Sequence, residues 1–175
     1  MKQILYHGGS HIIQTPEIRE PERTLDFGKG FYVTSSQNQA ERWVKAHLKH
    51  KYTIGYVNSY EFDPEVIPSE LNVKLFREAN DEWVDFVMAN RLTPGFTHDY
   101  DIVFGPVAND NVYTQITLFE GGIISKETLI KELKAYKLVD QYLFHTERSL
   151  AYLRYLSNYA VIIQSRLVDI NHRSR

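Results

Sequence analysis

The stretch 26–34 (Asp-Phe-Gly-Lys-Gly-Phe-Tyr-Val-Thr) limits the folds open to this chain more than any other. Gly28 and Gly30, one residue apart, permit a sharp backbone turn and a close approach to another group. The aromatic and β-branched residues at 31–34 predict a short strand directly after that turn. Tyr32 would then project a flat ring from a rigid strand beside bare backbone, an arrangement that suits a planar ligand.

Length and composition predict one domain of ordinary size. The chain has 175 residues, so we expect a single domain over 1–175, with a frayed tail at 166–175. The net charge of −2 and the pI near 6.4 give no overall electrostatic reason to bind nucleic acid or an anionic membrane. The absence of cysteine excludes disulfides and cysteine-ligated zinc. The first residues contain no long apolar run, so we expect no Sec-type signal and a cytoplasmic protein, or one exported without such a signal.

The order of strand and helix patterns lacks a regular βαβ alternation, which predicts an α+β domain rather than a doubly wound parallel sheet. Strands are predicted over 3–7, 31–34, 52–62, 72–76, 101–107, 141–145 and 159–164. Helices are predicted over 37–50 and 80–92, after Ser125 and after Thr146. Residues 110–120 are ambiguous, because helical spacing is combined there with weak helix formers.

Two of these helices carry expectations about individual side chains. The apolar face of the helix at 37–50 consists of Ala40, Trp43, Val44 and His47. We therefore predict that Trp43 is a core residue. The helix after Thr146 would carry the three regularly spaced leucines Leu150, Leu153 and Leu156.

Two motifs occur in the order and near the spacing known from one enzyme class. Residues 4–10, Ile-Leu-Tyr-His-Gly-Gly-Ser, resemble the L-x-H-G-S strand of the diphtheria-toxin-like ADP-ribosyltransferases, the class that includes the poly(ADP-ribose) polymerases. Residues 27–33, Phe-Gly-Lys-Gly-Phe-Tyr-Val, resemble the F-G-x-G-I-Y-F strand of the same class. The whole chain is more closely similar to a family of uncharacterised bacterial domains grouped with that superfamily, in which the Y-H-G-S, D-F-G-x-G-F-Y-x-T…Q-A and Q-x-x-F-x-T-E blocks recur together. The resemblance implies an ADP-ribosyltransferase-like α+β fold, with split antiparallel sheets and flanking helices.

The resemblance also implies a substrate and the residues that hold it. NAD⁺ would be the co-substrate, with no metal, and its bond between nicotinamide and ribose would break through an oxocarbenium-like transition state. His7 would hydrogen-bond a ribose hydroxyl on the adenosine side, Gly8 would offer its backbone N–H and C=O to the nicotinamide amide, and Tyr32 would stack on the nicotinamide ring. The other residues assigned to NAD⁺ are Gly30, Phe31 and Trp43, the last as a second aromatic wall if it is not in the core.

The third motif departs from the pattern of that class, whose late strand begins with a catalytic glutamate, as in N-E-Y-I-V-Y. The matching text is Asp-Gln-Tyr-Leu-Phe, so the glutamate position holds Gln141. An amide can hydrogen-bond a ribose hydroxyl, but it carries no negative charge to stabilise the oxocarbenium. Glu147 is the alternative acid, although six strand residues would put it about 20 Å away, and its place after Thr146 suits a helix start. We assign Gln141 to the pocket and Glu147 to a helix end.

Three functions stay open at this point, beside an unrelated structural α+β domain, which would explain the glycines but not the ordered His-Gly and Gly-Tyr pair. The first is a mono-ADP-ribosyltransferase that passes ADP-ribose to a macromolecular acceptor, as a bacterial toxin or effector with a neutralising partner protein. The second is an NAD⁺ glycohydrolase, with water as the acceptor. The third is a catalytically silent NAD⁺ or ADP-ribose reader. No membrane partner is expected, and no motif decides between protein, DNA, RNA and a small molecule as the acceptor.

Overall fold

The computed structural model describes residues 1–107, 110–136 and 138–163 of the chain, without the side chains of 110–112. The predicted frayed tail at 166–175 lies outside the described residues. Nowhere in this described part is a helix both long enough and apolar enough to cross a membrane.

The described residues form seven strands and five α-helices, which confirms the α+β class. The strands are β1 (Gln3–Gly9), β2 (Phe31–Val33), β3 (Ile54–Phe62), β4 (Val73–Leu75), β5 (Ile102–Val107), β6 (Val139–Phe144) and β7 (Arg154–Ile162). The helices are α1 (Gln37–His47), α2 (Asp81–Leu92), α3 (Asp110–Glu120), α4 (Lys126–Ala135) and α5 (Glu147–Leu150), with a 3₁₀ turn at Pro64–Val66.

The strands form two sheets, and in the described part of the chain one isolated backbone bridge joins them. One sheet has the order β1-β3-β7 and is antiparallel throughout. The other has the order β2-β6-β5-β4 and is antiparallel except for the β4–β5 pair. An isolated bridge joins Tyr6 of β1 to Thr34, directly after β2, with N···O distances of 2.8 and 2.9 Å. The sheets therefore part beside β1 and β2.

Three groups of buried side chains hold these layers together. The group between the two sheets includes Leu5, Phe31, Tyr60, Phe62 and Phe144. The group between α1 and the three-stranded sheet includes Ala40, Val44, Val57 and Val161. The group between the four-stranded sheet and α2, α3 and α4 includes Phe27, Trp83, Val103, Ile116, Leu133 and Leu143. Burying one large apolar side chain contributes about 1.5–3 kcal/mol, so each layer is held by several such contributions.

Helix α1 begins where the sequence predicts, but it buries a narrower face. The hydroxyl of Ser36 accepts a hydrogen bond from the first turn and caps the helix. Ala40 and Val44 are buried against the sheet. Trp43 is 37% exposed and stacks on His47, which is also exposed. The prediction that Trp43 is a core residue is wrong.

Two glycines of the sheet explain the narrow face of α1. A Cβ at Gly8 would lie 2.5 Å from the carbonyl oxygen of Ala40, and a Cβ at Gly55 would overlap the side chain of Val44. The backbone of the helix therefore contacts the backbone of the sheet, along a line that passes through Ala40 and Val44. Trp43 lies about a quarter turn from that line, beyond the edge of the contact.

The last predicted helix is wrong in length. Helix α5 ends at Leu150 and β7 begins at Arg154, so Leu156 lies in a strand. Strand β7 pairs along almost the whole of β3. That long-range ladder outweighs the helical spacing of the leucines, because strand formation depends on the partner as much as on the local sequence. The ambiguous segment 110–120 is α-helical.

Asp101 anchors the four-stranded sheet to the turn before α5. It is 1% exposed, and its carboxylate accepts from Arg148 Nε and Nη2 at 2.7 and 2.6 Å. Thr146 Oγ1 donates to it at 2.6 Å and the N–H of Asn72 donates at 2.8 Å. The Arg148 hydrogen bonds are the largest cause that lowers the pKa of Asp101 to about 2.

Asp101→Asn should lower the free energy of unfolding by about 2 kcal/mol at neutral pH, the value of a pKa shift from 3.8 to about 2. A carboxyl group with a lowered pKa stabilises the fold above its unfolded pKa and ceases to do so as the pH falls through its folded pKa. The difference from wild type in urea denaturation should therefore shrink as the pH falls from 3.8 towards about 2. Asp85→Asn, at an exposed carboxylate paired with Lys126, is the matched control and should differ little from wild type. A difference that stays constant over this range would contradict the lowered pKa.

Candidate functional site

We call the gap between residues 7–9 of β1 and strand β2 the seam. Backbone polar groups of residues two apart in a strand point to the same side. The N–H and C=O of Tyr6 bond Thr34 across the sheet boundary, so those of Gly8 also point toward β2. No further bridge between these strands follows among the described residues. Gly8 therefore presents a backbone donor and a backbone acceptor to the seam.

His7 separates β1 from β2 at the seam. Its ring stacks on Phe31 with centroids 4.4 Å apart, and its Nδ1 donates to the carbonyl oxygen of Tyr32 at 2.7 Å. Burial lowers the pKa of His7, which keeps the imidazole neutral near pH 7. With the proton on Nδ1, the lone pair is on Nε2, which faces bare backbone where a Cβ at Gly9 would be 3.2 Å away. His7 can thus accept a hydrogen bond from a ligand hydroxyl.

The turn before β2 is held by side chains that bond three consecutive carbonyl oxygens. The oxygens belong to residues 27, 28 and 29, and the donors are, in that order, His98 Nε2 at 2.8 Å, Tyr32 Oη at 2.5 Å and His145 Nδ1 at 2.5 Å. The two imidazole rings lie 4.3 Å apart and support each other. Gly28 has a φ of +87°, which favours glycine. The turn is thus a braced border of the seam, and Tyr32 is tied into it by its hydroxyl.

No sequence pattern indicates the residues that brace this turn. His98 and His145 are 71 and 116 residues away from the carbonyl groups they bond, and no spacing pattern connects them. Arg91 of α2 adds a third support, with Nη1 3.1 Å from Asp26 Oδ1 and Nε 2.6 Å from Glu120 Oε1. Burial raises the pKa of Asp26, and Arg91 opposes that effect. Only the fold brings these side chains to the glycine turn.

Gln141 is buried with its side-chain nitrogen unpaired. The residue is 8% exposed, and Nε2 has no hydrogen-bond acceptor among the described residues. No other buried side-chain nitrogen or oxygen in the described part of the chain is in this state. An orphaned buried donor costs about 1–3 kcal/mol. Gln141 therefore lowers stability unless a ligand supplies an acceptor.

Gln141 and Tyr32 lie on the same face of the four-stranded sheet. Tyr32 pairs with Leu143 across β2 and β6, and side chains two residues apart in a strand share a face. Gln141 is therefore a diagonal neighbour of Tyr32, and the Cα atoms of such a pair are about 7–8 Å apart. The ring of His7 lies on the other side, where it stacks on Phe31, a member of the buried group between the two sheets. The two sides meet at the seam, through the bond from His7 to the backbone of Tyr32.

The remaining predicted site residues have different surroundings. Glu147 is the first residue of α5, as predicted, and it is exposed. Strand β6 ends at Phe144, so the chain turns before Glu147 and the straight-strand separation does not apply. Gly30 has a φ of +150° and its Cβ would overlap the backbone of Phe144. Phe31 is 6% exposed and supports the ring of His7 rather than an open surface.

Trp43 lies on the flank of α1 that faces the seam. On the opposite flank of the helix, Glu41 accepts a hydrogen bond from Tyr159 of β7 at 2.6 Å. Strands β7 and β1 border opposite sides of β3, so the flank away from β7 faces β1. The exposed ring of Trp43 is therefore beside the seam.

The seam residues fall within the part of the chain that a family model matches. The model, described as a protein of unknown function (DUF3990), covers residues 3–155. The chain belongs to the DUF3990 family. The comparison with curated proteins finds no match. In this DUF3990 family member the matched range includes His7, Gly8, Tyr32 and Gln141 and ends within β7.

A separate cleft of about 350 Å³ in this DUF3990 family member lies beside the start of β6. Its lining includes Phe76, Arg77, Lys134, Tyr136 and Asp140, and the seam residues are not part of it. In the described ranges no group of three or more His, Cys, Asp or Glu side chains is arranged to hold a metal ion. The seam remains the place where the open backbone of Gly8 lies beside the predicted site residues His7 and Tyr32.

Proposed function

We propose that this DUF3990 family member is an NAD⁺-dependent mono-ADP-ribosyltransferase with a fold of the ADP-ribosyltransferase type. It would cleave the bond between nicotinamide and ribose and pass ADP-ribose to a macromolecular acceptor. The observation that carries the proposal is the open N–H and C=O of Gly8 at the seam, next to a neutral His7. The unpaired amide of Gln141 adds support, because it lies on the same sheet face as Tyr32. The motif order supports it, because the two stretches that resemble this enzyme class contain the strands that border the seam.

The backbone of Gly8 matches the carboxamide of nicotinamide. Its N–H would donate to the carboxamide oxygen and its C=O would accept from the carboxamide nitrogen, at about 0.5–1.5 kcal/mol net for each bond. No side chain fits at residue 8, because the carbonyl oxygen of Ala40 occupies that space. Tyr32, held by its hydroxyl, would stack on the ring for about 0.5–1.5 kcal/mol beyond area burial.

Two side chains are proposed to bind the ribose groups. Nε2 of His7 would accept a hydrogen bond from a hydroxyl on the adenosine side. Nε2 of Gln141 would donate to an oxygen of the nicotinamide-side ribose, which satisfies the donor that is unpaired in the free protein. Fixing both sugars places the breaking bond in one geometry, which is the positional part of catalysis.

Gln141 also favours one alternative function. A neutral amide cannot offset the positive charge of an oxocarbenium as a carboxylate does, so the rate is reduced more than the affinity. A silent NAD⁺ or ADP-ribose reader would keep the same contacts without turnover. An NAD⁺ glycohydrolase would keep them and use water. The proposed toxin role and the neutralising partner depend on the transferase activity. The proposed cytoplasmic location, or export without a Sec-type signal, does not.

Nicotinamide release from NAD⁺, measured by chromatography, tests the proposal. Wild type should release nicotinamide and transfer labelled ADP-ribose to a macromolecule. Tyr32→Ala should reduce release at least about tenfold, because the ring contact and its buried area are lost. Tyr52→Ala, at a tyrosine that is 40% exposed, is the matched control and should behave as wild type.

The outcomes of this assay separate the three functions. Release without a labelled macromolecule identifies a glycohydrolase. Binding of NAD⁺ in calorimetry without release identifies a reader. Neither binding nor release would refute NAD⁺ chemistry at the seam.

A further inference from the structure

The segment 37–51 differs in charge from the rest of the chain. It holds four of the 20 lysine and arginine residues but one of the 22 aspartate and glutamate residues. Its cations are Arg42, Lys45, Lys49 and Lys51, and all four are exposed. None of them forms a salt bridge with a described residue. Since the chain as a whole carries a charge of −2, positive charge is concentrated on α1 and the turn after it.

An exposed aromatic pair stands among these cations. Trp43 is 37% exposed, and its ring stacks on His47 with centroids 4.7 Å apart and planes inclined by 15°. The one acidic residue of the segment, Glu41, is turned to the other flank, where it binds Tyr159. The surface beside the seam therefore combines cations that form no salt bridge with a described residue and a flat ring held in place by its stacking partner.

Helix stability does not account for this combination. Lys45 lies in the last turn of α1, where a cation stabilises the helix end. Arg42 lies in the middle of the helix, where that effect has faded. Tryptophan is not a strong helix former, and an indole with 37% exposure buries less apolar area than the core position that the sequence predicts.

We propose that this surface, which consists of Arg42, Trp43, Lys45, His47, Lys49 and Lys51, binds single-stranded nucleic acid. Cations that follow the phosphates and an aromatic ring that stacks on a base are the two elements of single-strand binding. The strand must be single because the bases of a duplex are stacked on each other and cannot stack on Trp43. In an RNA duplex, the deep major groove is also too narrow for side chains to reach the bases. Trp43 is thereby assigned to a base of the strand rather than to nicotinamide.

The position of the surface makes the bound strand a candidate acceptor. Helix α1 contacts Gly8 and carries Trp43 on the flank that faces the seam. In the transfer, the bond from ribose C1′ to the nicotinamide nitrogen breaks and nicotinamide leaves with the bonding electrons. A base nitrogen or oxygen of the strand bonds C1′ and releases its proton to solvent. This step rests on the proposed function, whereas binding of the strand does not.

Fluorescence anisotropy tests the binding with labelled DNA and RNA strands and the corresponding DNA duplex. The variant Arg42→Gln/Lys45→Gln/Lys49→Gln, called the α1 variant, removes two cations from α1 and one from the turn after it. The matched control Arg77→Gln/Lys131→Gln/Lys134→Gln removes the same charges from other exposed positions. The slope of log K against log salt should fall in magnitude by about 2 in the α1 variant and stay unchanged in the control, since each phosphate contact contributes about 0.7. Trp43→Ala should weaken binding about tenfold with little change in slope.

Circular dichroism checks that each variant is folded. We expect all of them to fold, because the substituted residues are exposed. Equal losses in the two triple variants, or a duplex bound as tightly as a single strand, would overturn the proposal. Binding of a single strand through α1 without nicotinamide release would support this surface and refute the transferase. Release of nicotinamide without binding through α1 would refute this surface alone.

Discussion

His7→Phe should reduce nicotinamide release from NAD⁺ about 100-fold or more and leave the protein folded. Phenylalanine keeps a flat ring that can stack on Phe31, so the packing between the sheets is retained. It removes Nδ1, the donor to the carbonyl oxygen of Tyr32, and Nε2, the proposed acceptor for a ribose hydroxyl. Losing one preorganised hydrogen-bonding group from an active site costs about 10²–10³ in rate.

The control for this variant is His11→Phe, at an exposed histidine just beyond β1, which should release nicotinamide as wild type does. Thermal unfolding should show a decrease of about 2–4 °C in His7→Phe, because one hydrogen bond of about 1 kcal/mol is lost. Release at the wild-type rate in a folded His7→Phe protein would remove His7 from the site.

The pH dependence of the wild-type rate of nicotinamide release is a second test of the role of His7. Burial lowers its pKa below the ordinary value of 6.5. Nicotinamide release should therefore fall to half of its neutral-pH value only below pH 6.5, as Nε2 gains a proton and stops accepting a hydrogen bond. A rate that is halved near pH 6.5 would indicate an unperturbed histidine.

Gln141→Leu should stabilise the protein and abolish most of its activity. Leucine has a similar shape and no unpaired donor, so the free energy of unfolding should rise by about 1–2 kcal/mol, or about 2–8 °C in thermal unfolding. Nicotinamide release should fall at least about tenfold, because the ribose loses a hydrogen-bond partner. A site residue that costs stability while it supports activity is typical of functional sites.

Gln141→Glu tests whether a negative charge at residue 141 accelerates the reaction. A carboxylate there should raise nicotinamide release about tenfold or more, because it stabilises the developing positive charge. It should also lower stability, since a buried carboxylate is costly without a partner. Glu147→Gln is the comparison at the exposed start of α5 and should change release little. If Glu147→Gln loses activity and Gln141→Leu does not, the catalytic acid is Glu147.

Local chemistry made several elements predictable. The starts of α1, α2 and α4 could be predicted from the sequence, because the side chains of Ser36, Asn80 and Ser125 cap these helices. The strand after the glycine turn was readable from its aromatic and β-branched residues. Strand β7 was predicted five residues too late, because its pairing with β3 depends on residues about 100 positions earlier in the chain.

The glycine turn and the strand with Tyr32 were determined by the sequence alone, since the conformation of Gly28 and the propensity of 31–33 are local properties. The amide at residue 141 is likewise a fact of the sequence. The tertiary structure alone decided which polar groups find partners: the brace from His98 and His145, the open backbone of Gly8, and the unpaired nitrogen of Gln141. Whether a hydrogen bond is made depends on groups that are distant in the chain, and so the seam became visible only in the fold.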